Sequence, residues 1–418
     1  MANTDTNTVP FHLAGAFAPV AEERTDFDLD VVGELPPDLR GTYVRNGPNP
    51  RAGRSPAWFV GEGMLHGVRI SDGRAAWHRN RWITGAYAPN TNVIRHAGRI
   101  LALVETRPPV EVTPELETVG PYDFGGALEG SMTAHPRLCP QSGELLFFSC
   151  GPTRPHLTYY RADAAGRVTH RAPIDIPAMT LMHDFAISER YVIFYVLPVL
   201  VGDFRSPVPL RWDDDFPARF GVLPRDGVSA QMRWFDVEPC MIIHTINAFE
   251  DGDSIMFDAL RAPRPMAPAA LHRFQFDLRT GRTTERMLNA RYLDFPRVSP
   301  TVVGARHRYA YTTEIADFVP GRGSFTRTLA RKIDLETGAS VVHDFGGDAM
   351  PGECTVVPRA AGAAEDDAWA ILFVHPRDGS PSELVVLDAA ELAGPPVARV
   401  RMRSRVPFGL HGDWLPDA

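Results

Sequence analysis

Four histidines occur in distinctive local sequences and have the chemistry to hold a metal ion together. They are His135 in MTAHP, His183 in MHDF, His244 in IIHTINAF and His411 in GLHGDW. No cysteine or carboxylate is paired with them at short metal-ligand spacing. Neutral imidazoles suit iron, copper, nickel or zinc better than calcium or magnesium, which prefer oxygen ligands. We therefore expect a transition-metal site whose ligands come from the whole length of the chain.

Three glutamates in otherwise apolar segments are candidates to support these histidines. They are Glu105 in ILALVETR, Glu314 in YAYTTEIADF and Glu353 in MPGECTVVPR. A metal-bound histidine usually donates its second N–H to a carboxylate or a carbonyl oxygen. An isolated acid inside a β-strand is costly to bury unless it is paired. From these residues alone two interpretations remain, because the acids either point outward or support the metal ligands.

The elements that must position the histidines are short β-strands closed by glycine turns. The clearest hairpins have their turn glycines at Gly73, Gly166, Gly281, Gly338 and Gly394. The separations are 93, 115, 57 and 56 residues. If one unit spans about 56 residues, each of the two longer gaps holds one more unit and an insertion. Five visible units and two hidden ones make seven.

Seven repeated antiparallel units predict an all-β fold, a seven-bladed β-propeller with loop or helical insertions capping one face. The alternative is a pair of β-sandwiches. In a propeller the innermost strands line the axis, so histidines on different blades can converge there. We expect a single domain over residues 1–418, with an N-terminal extension at 1–35 and a proline-rich insertion at 197–227 over the active-site face.

The composition excludes several other classes of protein. The net charge of −8 and the lack of a basic run argue against nucleic-acid binding. Four cysteines without CxxC spacing predict free thiols, mostly buried, in a reducing compartment. No signal peptide and no apolar run of about 18 residues is apparent, which predicts a cytoplasmic protein. No GxGxxG follows a strand and no P-loop occurs, so no organic cofactor is expected.

Several longer segments of the sequence are similar to those of a known protein family. GTYVRNGPNP, WFVGEGMLHGVRI, HDFAISERYVIF, PARFGVLPR, GECTVVPR and GLHG make the chain resemble the carotenoid cleavage oxygenases, from residue 41 almost to the C-terminus. The resemblance implies one non-haem Fe(II) per chain, held by the four histidines, with O2 as cosubstrate. The implied reaction cleaves an alkene into two carbonyl products. The resemblance also implies that Glu105, Glu314 and Glu353 support His183, His244 and His411 respectively.

The resemblance leaves the alkene open. We expect a small apolar substrate, in the first place an apocarotenoid-like polyene; the alternatives are a stilbenoid or propenylphenol such as resveratrol or isoeugenol, or a propeller that binds an apolar ligand without turnover. Stilbene-cleaving members place a lysine before the first supporting glutamate, but Val104 stands there. The only lysine, Lys332, is predicted to be a solvated outer-strand residue.

The wall of the substrate tunnel is predicted from aromatic residues near the family phrases. The candidates are Trp58, Phe59, Trp77, Tyr87, Phe124, Phe185, Phe318 and Phe408, for which ordinary blade core is the competing interpretation. His66 is predicted to be structural. We expect at most transient membrane contact and no obligate protein partner.

Overall fold

The computed structural model describes residues 9–202, 206, 209–318 and 324–417, and this part of the chain is almost entirely β-structure. Four 3-10 helices occur at Phe11–Leu13, Gly15–Phe17, Ser229–Gln231 and Pro300–Val302. The strands, in chain order, are β1 (Arg24–Phe27), β2 (Val31–Gly33), β3 (Gly41–Pro48), β4 (Gly63–Ser71), β5 (Arg74–Trp82), β6 (Asn92–His96), β7 (Arg99–Leu103), β8 (Val110–Val112), β9 (Thr118–Pro121), β10 (Arg137–Leu138), β11 (Leu145–Cys150), β12 (His156–Ala162), β13 (Val168–Asp175), β14 (Ala186–Ile187), β15 (Tyr191–Val196), β16 (Val199–Val201), β17 (Leu210–Trp212), β18 (Arg219–Pro224), β19 (Arg233–Asp236), β20 (Met241–Asp251), β21 (Ser254–Ala262), β22 (Ala270–Asp277), β23 (Thr283–Asn289), β24 (Leu293–Arg297), β25 (Tyr309–Ile315), β26 (Thr328–Asp334), β27 (Ser340–His343), β28 (Ala349–Pro351), β29 (Thr355–Pro358), β30 (Ala368–Pro376), β31 (Glu383–Asp388), β32 (Ala398–Arg401) and β33 (Gly412–Pro416).

These strands form the seven blades of a β-propeller, which confirms the predicted fold. From the axis outward, blade 1 is β33, β3, β4, β5 and β1, blade 2 is β6 to β9, and blade 3 is β10 to β13. Blade 4 is β14, β15, β18 and β19, blade 5 is β20 to β23, and blade 6 is β24 to β27. Blade 7 has β28 and β29 inside, then β30, β31, β32 and β2. The ring is closed in blade 1, where the C-terminal strand β33 is the innermost strand and the N-terminal strands β3, β4, β5 and β1 lie outside it.

The predicted repeat is confirmed, because the five turn glycines occupy the same position in their blades. Each of the five glycines lies between the third and fourth strands of a four-stranded blade core, in blades 1, 3, 5, 6 and 7. The two hidden units are blades 2 and 4, which occupy the two longer gaps. Gly281 and Gly338 have φ of +76° and +75°, a conformation that a side chain disfavours.

The predicted boundaries need two corrections. Residues 24–33 are not an extension, because β1 and β2 add outer strands to blades 1 and 7. The insertion is shorter than 197–227, since residues 219–224 form the third strand of blade 4. What remains of it carries the β16–β17 hairpin, which bridges to Thr180 just before His183. Residues 1–8, 203–205 and 207–208 of these segments lie outside the described residues.

The core lies between neighbouring blades, where alternate side chains of each strand meet. Between blades 4 and 5, for example, Phe220 packs against Phe257, Phe274 and Phe276 with ring centroids 5.0–5.1 Å apart. Cys139, Cys240 and Cys354 are buried and Cys150 is partly so, and all four are free thiols as predicted. No helix in the described ranges has the length and apolar character to cross a membrane.

The only lysine does not lie on a solvated surface, so that prediction is wrong. Lys332 is 6% exposed between blades 6 and 7. Its Nζ donates to Asp366 Oδ2 at 2.7 Å and to the Ala390 carbonyl at 3.2 Å, and it lies 4.1 Å from the ring centre of Tyr309. The lysine therefore joins two blades, and it has no contact with the four histidines.

Replacing Lys332 with alanine is expected to lower the free energy of unfolding by about 3 kcal/mol, because it leaves the partly buried Asp366 without its cation. Urea unfolding measures the loss. Substrate turnover per bound iron should stay unchanged, and a fall in turnover without a fall in iron content would contradict a purely structural lysine.

Candidate metal centre

The four histidines converge on the propeller axis. Their ligand atoms all lie within 4.8 Å of one another. The Nε2 atoms of His135 and His183 are 2.9 Å apart, and those of His244 and His411 are 3.2 Å apart. His411 is 4% exposed and His135 is 9% exposed, so the cluster is shielded from bulk water.

The innermost strands explain how such distant residues meet. His135 and His183 lie two and three residues before β10 and β14, and His411 directly precedes β33. His244 lies within β20, where the pairing with β21 shifts between Ile242 and Thr245. A strand start or a bulge allows a side chain to turn away from the sheet faces and toward the axis.

A carboxylate contacts the outer ring nitrogen of three of the four histidines. Glu105 contacts Nδ1 of His183, and Glu353 Oε1 lies 2.9 Å from Nδ1 of His411, the two pairings that the family resemblance implied. These contacts favour a proton on Nδ1 and leave the Nε2 lone pair directed at the centre. His135 has no carboxylate contact among the residues that the structure describes.

The partner of His244 is Asp294, and the prediction of Glu314 for this role is wrong. Asp294 Oδ1 lies 2.6 Å from Nδ1 of His244. Glu314 instead accepts a hydrogen bond of 2.7 Å from Nε of Arg331. The strand register gives the reason, because Leu293 pairs with Glu314 and Asp294 with Thr313, so the two acids point to opposite faces of blade 6.

Asp294 was not among the predicted supporting residues, which were all glutamates. Asp294 stands between Leu293 and Phe295 in YLDFPR, an isolated acid in an apolar strand, which is the signal that selected the glutamates. The same strand supplies Arg297, whose Nε lies 2.9 Å from Glu353 Oε1. One strand therefore supports two of the histidines.

Each of the seven blades contributes one side chain to the centre. Blades 3, 4, 5 and 1 contribute His135, His183, His244 and His411, and blades 2, 6 and 7 contribute Glu105, Asp294 and Glu353. The centre therefore depends on closure of the complete ring.

An ion pair between Arg137 and the buried Asp184, together with hydrogen bonds of Thr245, joins the three blades that carry the first three histidines. Arg137 Nη2 donates to Asp184 Oδ1 at 2.7 Å and to Thr245 Oγ1 at 2.6 Å, and Thr245 N donates to Asp184 Oδ2 at 2.8 Å. Arg137 lies two residues after His135, and the other two residues directly follow His183 and His244. These bonds hold the chain segments that follow His135, His183 and His244 at fixed distances from one another.

The electrostatics favour a cation at the centre. Burial acts to raise the pKa of Glu353, but Arg297 and His411 outweigh it and hold this pKa at about 2. The pKa of Glu105 is also lowered, because His183 outweighs burial, and His244 does the same for Asp294. Burial lowers the pKa of His411. Three ionised carboxylates thus surround a group of imidazoles.

A divalent transition metal fits this donor set. The four Nε2 lone pairs would repel one another without a cation between them. Two nitrogens bound at right angles to one ion at about 2.1 Å lie about 3.0 Å apart. The separations of 2.9 and 3.2 Å agree with that value.

An apolar cavity of about 200 Å³ reaches His244 and Asp294 from one side. It is lined mainly by Trp58, Met241, Ile243, Leu260, Ala262, Tyr292, Ile315, Phe318 and Phe325. Phe295 separates Trp58 and Phe408 from the metal centre, with its ring centre 5.9 Å from that of His244 and 5.4 Å from that of His411. Its φ is +49°, a strained value for a bulky residue beside a functional site.

Of the aromatic residues predicted to line a tunnel, Trp58 and Phe318 line this cavity, and Phe408 packs behind Trp58. Phe124 and Phe185 instead belong to the cores between blades.

The remaining three aromatic predictions also lie elsewhere. Trp77 is on the outer strands, paired with Phe27, and Phe59 is 49% exposed. Tyr87 packs against the core between blades 1 and 2. None of these three lines the cavity.

A second cavity, of about 330 Å³, reaches the histidines along the axis. It is more polar, and its lining includes Arg137, Asp184, Arg297, Glu353 and Asp413. The metal centre thus lies between the apolar cavity and the more polar cavity.

Comparisons with known proteins agree with this geometry. The family model described as retinal pigment epithelial membrane protein matches residues 17–88 and 84–416. A carotenoid cleavage oxygenase of Mycobacterium tuberculosis is 35% identical, with 97% of each chain covered. An isoeugenol monooxygenase of Pseudomonas nitroreducens is 28% identical over 97% of this chain and 98% of its own. The crystal structure of a lignostilbene dioxygenase of Pseudomonas brassicacearum superimposes with a TM-score of 0.88 and 28% identity, covering 98% of this chain and all of that one.

Proposed function

Because this chain belongs to the family of the retinal pigment epithelial membrane protein and the carotenoid cleavage oxygenases, we propose that it is an Fe(II)-dependent dioxygenase cleaving a carbon–carbon double bond. The proposed substrate is an apocarotenoid-like polyene, which yields two carbonyl products. The proposal rests on the position of the aromatic cavity, which reaches the four-histidine centre at His244.

His135, His183, His244 and His411 would hold one iron ion per chain. When bound, Fe(II) supplies a centre at which dioxygen and an alkene can react without an organic cofactor. Glu105, Asp294 and Glu353 keep three imidazoles in the orientation that directs Nε2 inward.

The cavity binds and orients the substrate. Its walls are aliphatic and aromatic, so they exclude water and suit a polyene chain. Among the described residues that line it, the only arginine is Arg264, which is paired with Asp214 at 2.6 Å. Phe295 lies against two of the histidines and limits how close a bulky ring can come to them.

A phenolic alkene is the second candidate substrate, and Tyr292 supports it. This tyrosine lines the cavity, and its hydroxyl has no hydrogen-bond partner within the described ranges, so it is free to bond to a phenol. The similarity to a lignostilbene dioxygenase and an isoeugenol monooxygenase agrees with this candidate. Position 104 is a valine and not a lysine, so no ammonium group there can hold a phenolate. For this reason we propose the polyene as the first candidate substrate.

Oxygen uptake by the iron-loaded protein separates these candidates. The panel is an apocarotenal, an apocarotenol, resveratrol and isoeugenol, with carbonyl products identified by mass spectrometry. We expect uptake and paired products with the apocarotenoids, and we expect Tyr292→Phe to leave their turnover unchanged. Faster turnover of resveratrol or isoeugenol, reduced by Tyr292→Phe, would favour the phenolic alternative. No uptake with any alkene would favour a propeller that only binds apolar ligands.

A further inference from the structure

A second group of buried polar side chains lies between blades 1 and 7, apart from the metal centre. Arg45, His66 and Asn80 are cross-strand neighbours on β3, β4 and β5, so their side chains share one face of blade 1. His78 lies on the same face, its ring stacked on that of His66 with centroids 5.7 Å apart. His375 approaches from blade 7. We call Arg45, His66, His78 and His375 the closure cluster, because they lie where the ring closes.

Most of the guanidinium and ring nitrogens of the closure cluster lack a hydrogen-bond partner among the described residues. Arg45 is 4% exposed, and its Nε and Nη1 make no hydrogen bond to any described residue. Both ring nitrogens of His66 and both of His78 are likewise buried without a hydrogen bond. His375 is partly satisfied, since its Nδ1 lies 2.8 Å from the Val406 carbonyl. Burying unpaired donors is costly, above all those of a guanidinium that keeps its proton.

The charge of Arg45 is also uncompensated. Asp26, the carboxylate beside His78, forms an ion pair with Arg24 and lies 3.8 Å from His78 Nδ1. Burial lowers the pKa of His78 to about 4 and that of His375 to about 3, so both are neutral at pH 7. The described residues therefore leave one net positive charge in this interface.

The space around the guanidinium is narrow. A Cβ atom on Gly409 would lie 1.3 Å from Arg45 Nη1, and one on Gly47 would lie 3.0 Å from it. A side chain at position 409 would therefore displace the guanidinium, and Gly47 is also closely packed against it. The little space beside the guanidinium disfavours a polyatomic anion.

We propose that a monovalent anion of halide size is bound in the closure cluster by Arg45 and His66. The anion accepts the unpaired N–H groups and neutralises the buried charge. Water would satisfy the donors but would leave the charge in place. The site is tied to the segment of the fourth histidine, because Asn46 N donates to the His411 carbonyl at 2.9 Å and Leu410 N donates to the Asn46 carbonyl at 3.1 Å.

Crystals of the unmodified protein soaked in sodium bromide test the proposal directly. We expect an anomalous bromine peak within hydrogen-bonding distance of Arg45 and His66. Absence of that peak, with water density in its place, would overturn the proposal. This measurement needs no variant and does not depend on the enzymatic activity.

Thermal unfolding in sodium bromide and in sodium gluconate, at equal ionic strength, provides the second test. A bound halide should raise the unfolding temperature in a saturable way, because it binds only the folded chain. His66→Asn should weaken the apparent bromide affinity at least about tenfold. The matched control is His343→Asn, a buried histidine bonded to the Leu392 carbonyl in another blade interface, which should keep the full bromide response. An equal response in both variants would contradict the proposed site.

Discussion

Replacing His183 or His411 with alanine is expected to abolish stable iron binding and to reduce alkene cleavage to the level of the iron-free protein. Each replacement removes one of four nitrogen donors and leaves a carboxylate, Glu105 or Glu353, without its imidazole. Loss of a supporting partner alone typically costs 10- to 100-fold in metal affinity, so we expect loss of a ligand to cost more than about 100-fold. Iron per chain, measured by atomic absorption after dialysis, gives the primary readout.

Neither replacement should prevent folding, because the carboxylate left behind is stabilised in each case. Glu353 is deeply buried and keeps Arg297 as a partner when His411 is removed, because Arg297 Nε lies 2.9 Å from its Oε1. Glu105 is half-buried and can be solvated. We therefore expect both variants to fold, as judged by circular dichroism. His343→Asn serves as the control, with full iron content and activity. Full activity in either alanine variant, or in wild-type protein after iron removal, would contradict the iron-dependent reaction.

The propeller and the histidine ligands were accessible from the sequence because their signals are local. A strand, a turn glycine at a fixed phase and a short phrase such as GLHG each depend on a few neighbouring residues. Lys332 was misplaced because the space between two blades is formed by Asp366, Ala390 and Tyr309, which come from separate parts of the chain. An outer hairpin looks solvated in sequence even where an adjacent blade covers it.

The cavity wall was the least predictable part for the same physical reason. Trp58 and Phe318 line it, yet Phe185, which lies two residues from a metal ligand, belongs to the blade core. His183 and Phe185 both precede β14, where the chain lacks the regular alternation of a strand, so closeness in sequence to a ligand does not place a side chain in the cavity. Phe295 was missed although it lies against two ligands, because its position depends on an unusual backbone angle.

Two variants, Asp294→Asn and Glu314→Gln, test which of these two acids supports His244. Asp294→Asn is expected to lower iron affinity and turnover by about 10- to 100-fold. The carboxamide keeps the size of the side chain but removes the charge that accepts the Nδ1 proton of His244, 2.6 Å away. Iron titration with a competing chelator measures the affinity, and the rate per bound iron separates binding from turnover.

Glu314→Gln is the matched control, because it makes the same chemical change on the neighbouring strand. Glu314 contacts Arg331 and not His244, so this variant should keep its iron affinity and turnover. It should lose stability instead, by about 3 kcal/mol, because Arg331 is buried and would lack its carboxylate. A loss of iron affinity in Glu314→Gln with none in Asp294→Asn would restore the assignment made from the sequence. The opposite pattern follows from the register of blade 6, which places the two acids on opposite faces, with Asp294 on the face that contacts His244.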